Sequence, residues 1–206
     1  MENTRRGAQC APADVHWVTA GEHSSPLHVR IQELLHTHPK VLLAIDGPCA
    51  SGKTTLTRAL QQTYDCNIFP MDHFFLPPTL RTEARLTEPG GNIDYERFQA
   101  EVLTPLTAGN PVTYRPYNCQ ISDFDSAITV PPKQLNIIEG TYSLHPALAD
   151  AYHLKLFLTT PKAEQLRRIA ERDGEILLER FKTEWIPLEK QYFSHFDIES
   201  QCDFSF

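Results

Sequence analysis

Val41-Leu42-Leu43-Ala44-Ile45-Asp46-Gly47-Pro48-Cys49-Ala50-Ser51-Gly52-Lys53-Thr54-Thr55 joins an apolar run to the phosphate-loop pattern G-x-x-x-x-G-K-[ST], which spans Gly47 to Thr54. A short buried strand must turn here into a helix, announced by Leu56, Ala59 and Leu60. That geometry aims successive backbone N–H groups and a helix N-terminus at a phosphate chain. Lys53 is expected to reach the β- and γ-phosphates and Thr54 to bind Mg²⁺. Gly47, Pro48, Cys49, Ala50, Ser51, Gly52, Lys53, Thr54 and Thr55 are thus the expected triphosphate-binding residues, with ATP as the expected donor.

The 206 residues suit one α/β domain with a substantial core. A formal charge of −7 speaks against a broad nucleic-acid surface, because clustered Lys and Arg would be needed to neutralise phosphates. Cys10, Cys49, Cys66, Cys119 and Cys202 lack the spacing of a zinc site or a disulfide framework, so a reducing cytoplasm is expected. Residues 1–21 lack the apolar core of a signal peptide, and no run has membrane-spanning length. The expected partners are therefore small molecules, not nucleic acid or membrane, and a homo-oligomer is left open.

Residues 1–25 read as an extension preceding a single phosphate-loop domain over 26–206. From Pro26 an amphipathic helix is expected to end before Pro39 and to cover a sheet edge. Cys66 to Asp72 reads as the second strand, and residues 74–92, with three prolines and Gly90-Gly91, as a long irregular connection. Asp94 can cap a helix that buries Tyr95, Phe98, Val102, Leu103 and Leu106 and stops at Gly109. Pro111 to Tyr117 and Ala127 to Val130 read as an edge hairpin, Leu135 to Gly140 and Leu154 to Thr159 as core strands. Helical pattern then runs from Pro161 to about Phe193 with a break at Asp173-Gly174, and Cys202 to Phe206 returns as a strand. Alternating strands and helices predict a three-layer α/β fold: a mostly parallel sheet, helices on both faces, a β-hairpin insertion and a helical lid.

Which phosphate-loop chemistry this serves depends on polar residues at strand ends, where open α/β sheets bind ligands. Asp72 and Glu139 each follow an apolar strand. Phosphoryl transfer to a hydroxyl needs a carboxylate near the acceptor and Mg²⁺ to offset charge, and two acids at neighbouring strand ends meet those needs.

The chain resembles the uridine kinase and phosphoribulokinase branch of the phosphate-loop kinases, most closely its uridine kinase-like members. The resemblance rests on Gly47 to Thr54, Met71-Asp72-His73-Phe74-Phe75, Asn92-Ile93-Asp94-Tyr95, Arg115-Pro116-Tyr117-Asn118 and Ile138-Glu139-Gly140, followed by an arginine-bearing lid helix over about 161–180. It implies acceptor-binding insertions over about 73–93 and 111–132. It also implies Asp72 as general base toward a primary hydroxyl, Asp94 as a ribose ligand, and Tyr117 as a contact to the acceptor's ring. Phe74, Tyr95 and Arg115 fall within the acceptor-binding motifs, and Glu139 would hold Mg²⁺ or its water shell beside Thr54 and Asp72. Arg168 and Arg172, four apart on one helix, would face the phosphates. Two departures stand out. Asn118 and Gln120-Ile121-Ser122-Asp123 replace the aspartate and histidine that usually serve pyrimidine recognition, and Phe74-Phe75-Leu76-Pro77 resembles nicotinamide riboside kinases.

Each residue also has a plainer reading. Asp72 can be a turn aspartate, Glu139 a structural strand-end acid, Asp94 only a cap, and Tyr117 an edge-strand aromatic. Arg167, Arg168 and Arg172 can pair with Glu164, Glu171 or Asp173 on a solvated face. His36 and His38 have no acid or Cys cluster nearby, so they suggest no metal. The function read here is an ATP-dependent kinase for a nucleoside-like acceptor, uridine or cytidine first. Nicotinamide riboside, pantothenate or another ribosyl or sugar compound is the alternative, and an ATP-binding regulatory protein is the alternative of a different class. A GTPase is disfavoured by the lack of N-K-x-D, and a motor by Glu139-Gly140 where a paired aspartate and glutamate would stand.

Overall fold

The computed structural model describes residues 25–206. Of the expected extension, residues 1–24 lie outside the described residues. Ser25 caps the first helix, its hydroxyl accepting the His28 N–H at 3.4 Å.

Helix α1 (Pro26–Thr37) leads into β1 (Val41–Asp46), then α2 (Lys53–Thr63) and β2 (Cys66–Pro70). Strands β7 (Leu135–Glu139) and β8 (Leu154–Phe157) flank β1, and β9 (Phe204–Ser205) closes the far edge, giving the all-parallel order β2-β7-β1-β8-β9. Only those two residues of the expected Cys202 to Phe206 strand pair with β8.

All of β1 is buried because both faces are covered, which is why it reads as an unbroken apolar run. Val41, Leu43 and Ile45 pack with Leu27, Ile31 and Leu34 of α1 and Leu56 and Leu60 of α2. Leu42 and Ala44 meet Phe98, Val102, Leu103 and Leu106, together with Tyr192. Helix α1 thus covers a face of the sheet, not the expected edge: its stripe at 27, 31 and 34 matches the β1 side chains below it.

Asp72 does not end β2 as expected. The strand stops at Pro70, and Asp72 lies in a 3₁₀ turn, Met71–Phe74. The connection over 76–92 holds a 3₁₀ turn, Pro78–Leu80, and a short helix α3 (Glu83–Thr87) that Thr82 caps. Its ends are pinned where the Asp94 N–H bonds the Phe74 carbonyl at 2.7 Å and the Leu76 N–H bonds the Asn92 carbonyl at 2.9 Å. The following helix, over 95–108, contains a π-helical segment, Gln99–Leu103; the helix over 175–196 contains another, Phe181–Trp185. The hairpin forms two short antiparallel ladders, β3 (Val112–Tyr114) with β6 (Ile128–Val130) and β4 (Tyr117–Asn118) with β5 (Asp123–Phe124), separate from the main sheet. Pro116 interrupts the first strand because it cannot donate to a ladder. The helical lid region consists of Lys162–Asp173 and the helix beginning at Glu175, parted by Gly174. Among the described residues, no helix is long and apolar enough to cross a membrane.

Candidate phosphate-binding and acceptor site

At the carboxyl end of β1 the chain makes the tight turn its motif predicts. Gly47 has φ 138°, and a Cβ there would stand 2.2 Å from the Leu158 carbonyl oxygen, so the loop touches the end of β8 only because that residue is glycine. Gly52, at φ 101°, precedes α2, whose N-terminus has no side-chain cap. First-turn N–H groups are thus left for a ligand, the arrangement that binds anions. The Ser51 hydroxyl is buried in the same loop without a hydrogen-bond partner. A phosphate oxygen in the loop would satisfy it, so the cradle fits the triphosphate its sequence implies.

Lys53 folds back over the loop: its ammonium donates to the Gly47 carbonyl at 2.7 Å, the Pro48 carbonyl at 2.8 Å and Thr141 Oγ1 at 3.3 Å. Thr54 and Thr55 are exposed at the start of α2. Thr54 Oγ1 donates to Glu139 Oε1 at 3.4 Å, bringing the first helical turn against the end of β7.

Glu139 pairs in register with Ile45 of β1 and Pro70 of β2, so Asp72, two residues beyond Pro70, stands at the same end of the sheet. Gly140 permits this closeness: a Cβ on it would meet Met71 Cβ at 2.8 Å. Burial, and then the Asp72 charge, raises the Glu139 carboxyl above the usual range, while Lys53, Thr54 and Arg58 pull it back. Asp72 itself is exposed. Among the described residues, no three His, Cys, Asp or Glu side chains converge into a metal cage. Mg²⁺ does not require one, since it takes one or two protein oxygens and completes its shell with phosphate and water. The Thr54–Glu139 pair has that donor chemistry.

Around the loop stand groups that the sequence did not single out. Asp46, fully buried, accepts on Oδ1 from the N–H of Gly47 (2.7 Å) and Tyr142 (3.1 Å). Its Oδ2 accepts from the Leu144 N–H (2.9 Å) and the Tyr192 hydroxyl (2.9 Å). Burial raises its carboxyl; the Leu144 and Gly47 bonds, Lys53 and Tyr192 oppose the shift. Glu189 accepts the Cys49 N–H at 3.1 and 3.3 Å, and Gln165 Nε2 donates to the Cys49 carbonyl at 3.1 Å. The Cys49 thiol is pushed up to about 12, by burial first and then by Glu189, so it stays protonated.

The arginines divide. Arg168 donates to the Ala50 carbonyl at 3.1 Å and to Glu164 at 2.7 Å, which places it on the phosphate loop. Arg167 pairs with Glu164 and Glu171, and exposed Arg172 with Asp173 at 2.8 Å.

Among the residues expected to bind the acceptor, Asp94 caps its helix by accepting the Arg97 N–H at 3.1 Å. Tyr95 has both faces covered. The Arg85 guanidinium sits 4.0 Å from the ring centroid and the His145 ring 4.1 Å from it, nearly parallel, which only opposite faces can accommodate. Phe74 is fully buried, with its ring against Phe98 and under Arg97. Tyr117 is buried edge-on to Phe124, and Arg115 donates to the carbonyls of Phe124 (2.9 Å) and Asp125 (3.0 Å), closing the hairpin. Arg97 joins these pieces by donating to the carbonyls of His73 (2.7 Å) and Arg115 (2.9 Å).

No protein-family model and no curated protein sequence matches the chain. Solved structures do. The chain is similar to a possible uridine kinase from Bacillus stearothermophilus, at 20% identity and a TM-score of 0.63, with 87% of this chain and 98% of that one aligned. It is similar to a candidate fructose transport system kinase from Silicibacter sp. TM1040, at 23% identity and a TM-score of 0.67 over 87% of this chain and 97% of that one. A D-glycerate 3-kinase from Cryptococcus neoformans aligns at 13% identity and a TM-score of 0.58 over 80% and 86% of the two chains. At these identities the likeness is one of fold, a P-loop NTPase α/β fold.

Proposed function

We propose that this protein is a uridine kinase-like member of the phosphoribulokinase and uridine kinase family. On this reading it transfers the γ-phosphate of ATP to a hydroxyl of a nucleoside-like acceptor, uridine or cytidine first, in the cytoplasm. Residues 26–206 form the kinase domain, with acceptor-binding insertions over about 73–93 and 111–132 and a lid over about 161–180. One observation carries the reading: Thr54 meets Glu139 at 3.4 Å beside Lys53, with Asp72 in the turn that follows the adjoining strand. Phosphate cradle, hard-oxygen pair and acceptor-side carboxylate thus share one end of the sheet, as transfer to an alcohol requires.

The chain's own groups would then act as follows. Loop N–H groups and Lys53 hold the phosphates, Lys53 exchanging its carbonyl partners for phosphate oxygens. Thr54 and Glu139 orient Mg²⁺, which when bound offsets charge on the transferred group. Asp72 orients the acceptor hydroxyl and takes its proton. Arg168, already on the loop, and Arg172, once the lid closes, neutralise developing charge and exclude water.

ADP release from Mg²⁺-ATP, measured with uridine, cytidine, nicotinamide riboside, pantothenate and simple sugars, tests the reading. Stimulation by a pyrimidine nucleoside supports it. Stimulation by another compound keeps the kinase and changes the acceptor. Tight ATP binding without turnover on any acceptor favours the ATP-binding regulatory protein.

A further inference from the structure

We infer that Glu189 is a positioning residue that fixes the phosphate loop in its nucleotide-binding shape from the lid side of the molecule; the inference rests on the ATP-binding reading above. The buried face of its helix is formed by Ile186, Glu189 and Tyr192, a spacing that normally calls for an apolar residue at the middle position. A carboxylate stands there instead, 5% exposed, although burying one is costly unless it is hydrogen-bonded. Its bonds go to the Cys49 N–H, at 3.1 and 3.3 Å, across 140 residues of sequence. The Cys49 carbonyl and thiol sulfur both receive Gln165 Nε2, at 3.1 and 3.3 Å, and the next carbonyl, Ala50, receives Arg168. Three side chains from the two helices of the lid region thus hold two successive loop residues. Ala50 has a positive φ of 59°, a conformation that an L-residue keeps only when its surroundings enforce it.

The carboxylate has two separable effects. Its hydrogen bond shapes the loop, which favours nucleotide; its negative charge lies beside a polyanion site, which opposes nucleotide. Lys53, whose charge bears on Glu189, masks part of the second effect. The amide of Glu189→Gln keeps an acceptor oxygen for the Cys49 N–H and removes the charge. Leucine in Glu189→Leu continues the apolar stripe and removes both.

The test is Mg²⁺-ATP and Mg²⁺-ADP affinity by titration calorimetry on the full chain, with thermal midpoints as the control for folding. The expected order is Glu189→Gln at least as tight as the unaltered protein, and Glu189→Leu weaker by about tenfold with an unchanged or higher midpoint. Glu189→Leu binding as tightly as the unaltered protein, or more tightly, overturns the inference. So does Glu189→Gln weakening as much as Glu189→Leu, because then the hydrogen-bond acceptor is not what matters. If Glu189→Leu does not fold, Glu189→Gln decides alone: a loss of about tenfold or more refutes the positioning role, and retained affinity supports it. Failure of the unaltered protein to bind either nucleotide refutes the ATP-binding reading itself, a result distinct from all of these.

Discussion

Removing the Tyr192 hydroxyl isolates the latch under the phosphate loop. Tyr192→Phe leaves a fully buried ring packed on Tyr142, Phe193 and Phe196 and deletes only the donor to Asp46 Oδ2 at 2.9 Å. A hydrogen bond to a buried carboxylate contributes about 1.5–3 kcal/mol. The loss falls toward the middle of that range because Oδ2 keeps the Leu144 N–H and Oδ1 keeps Gly47 and Tyr142, so no lone acceptor is stranded. We expect about 2 kcal/mol, which at a urea m-value of about 2 kcal/mol/M moves the unfolding midpoint down by about 1 M. Tyr152 supplies the internal contrast: its hydroxyl is buried with no partner, so Tyr152→Phe should be neutral or stabilising. Urea unfolding of both variants, followed by circular dichroism with equal m-values, reads the two numbers. A Tyr192→Phe cost below about 0.5 kcal/mol, or equal costs for the two phenols, refutes the latch.

Asp72→Asn should lower turnover by about 10²–10⁴-fold while ATP affinity is kept, and steady-state kinetics alongside calorimetry separates the two; unchanged turnover removes Asp72 as the base. Gly47→Ala forces a Cβ to 2.2 Å from the Leu158 carbonyl oxygen, whereas a Cβ on Gly52 meets nothing within 4 Å, so Gly47→Ala should lower the thermal midpoint more than Gly52→Ala and abolish nucleotide binding. His145, lowered to about 4 by burial and then by Arg85, accepts the Ala147 N–H on Nδ1 and is neutral in the folded chain. Below its unfolded value of 6.5 the unfolded chain takes up a proton that the folded one refuses, so stability falls as pH drops from 6.5 toward 4. About 2 kcal/mol should vanish between roughly pH 7 and 5, and His145→Asn, which caps without titrating, should remove that component of the pH dependence.

What could be read from the sequence was what local pattern encodes. The run Val41 to Asp46 and the glycines behind it specify a buried strand, a tight turn and a helix without reference to distant residues. Asp94 before Phe98 and Val102 likewise announces a capped helix. The π-helical segments at Gln99–Leu103 and Phe181–Trp185 carry no such signal, since one extra residue per turn changes the apolar spacing too little to see. Asp46, Gln165 and Glu189 were missed because their partners lie far off in the chain, 146 residues away for Asp46 and Tyr192. A trace was available all the same: Asp46 ends an otherwise apolar strand, and Glu189 interrupts a buried helical stripe. A charged group where packing calls for an apolar one is itself a signal, because its burial must be compensated somewhere.

The residues read as acceptor ligands are largely occupied by structural work. Tyr95 is covered on both faces, Phe74 is buried, and Arg115 is committed to hairpin carbonyls. Asp94 spends one oxygen on its helix. Two acids with charge still to offer remain at this end of the sheet, Asp72 and the partly buried Glu139, the second with Lys53 and Arg58 acting on it. Arg97, the nearest strong cation, is absorbed by the His73 and Arg115 carbonyls and by Glu101. Arg81 has its Nε on the Leu76 carbonyl, and its charge bears on Cys119, as does that of Asp72. On the proposed reading, an acceptor approaching Asp72 therefore crosses a field set by the Asp72 and Glu139 carboxylates, with Arg81 on one side and Lys53 and Arg58 acting on Glu139 from the phosphate-loop side. A neutral or cationic alcohol enters that field at little electrostatic cost, while an acceptor with its own carboxylate must be placed with that group toward Arg81. Among the compounds to be tried, uridine, cytidine and nicotinamide riboside are favoured over pantothenate on charge alone, before any contact to a base is considered.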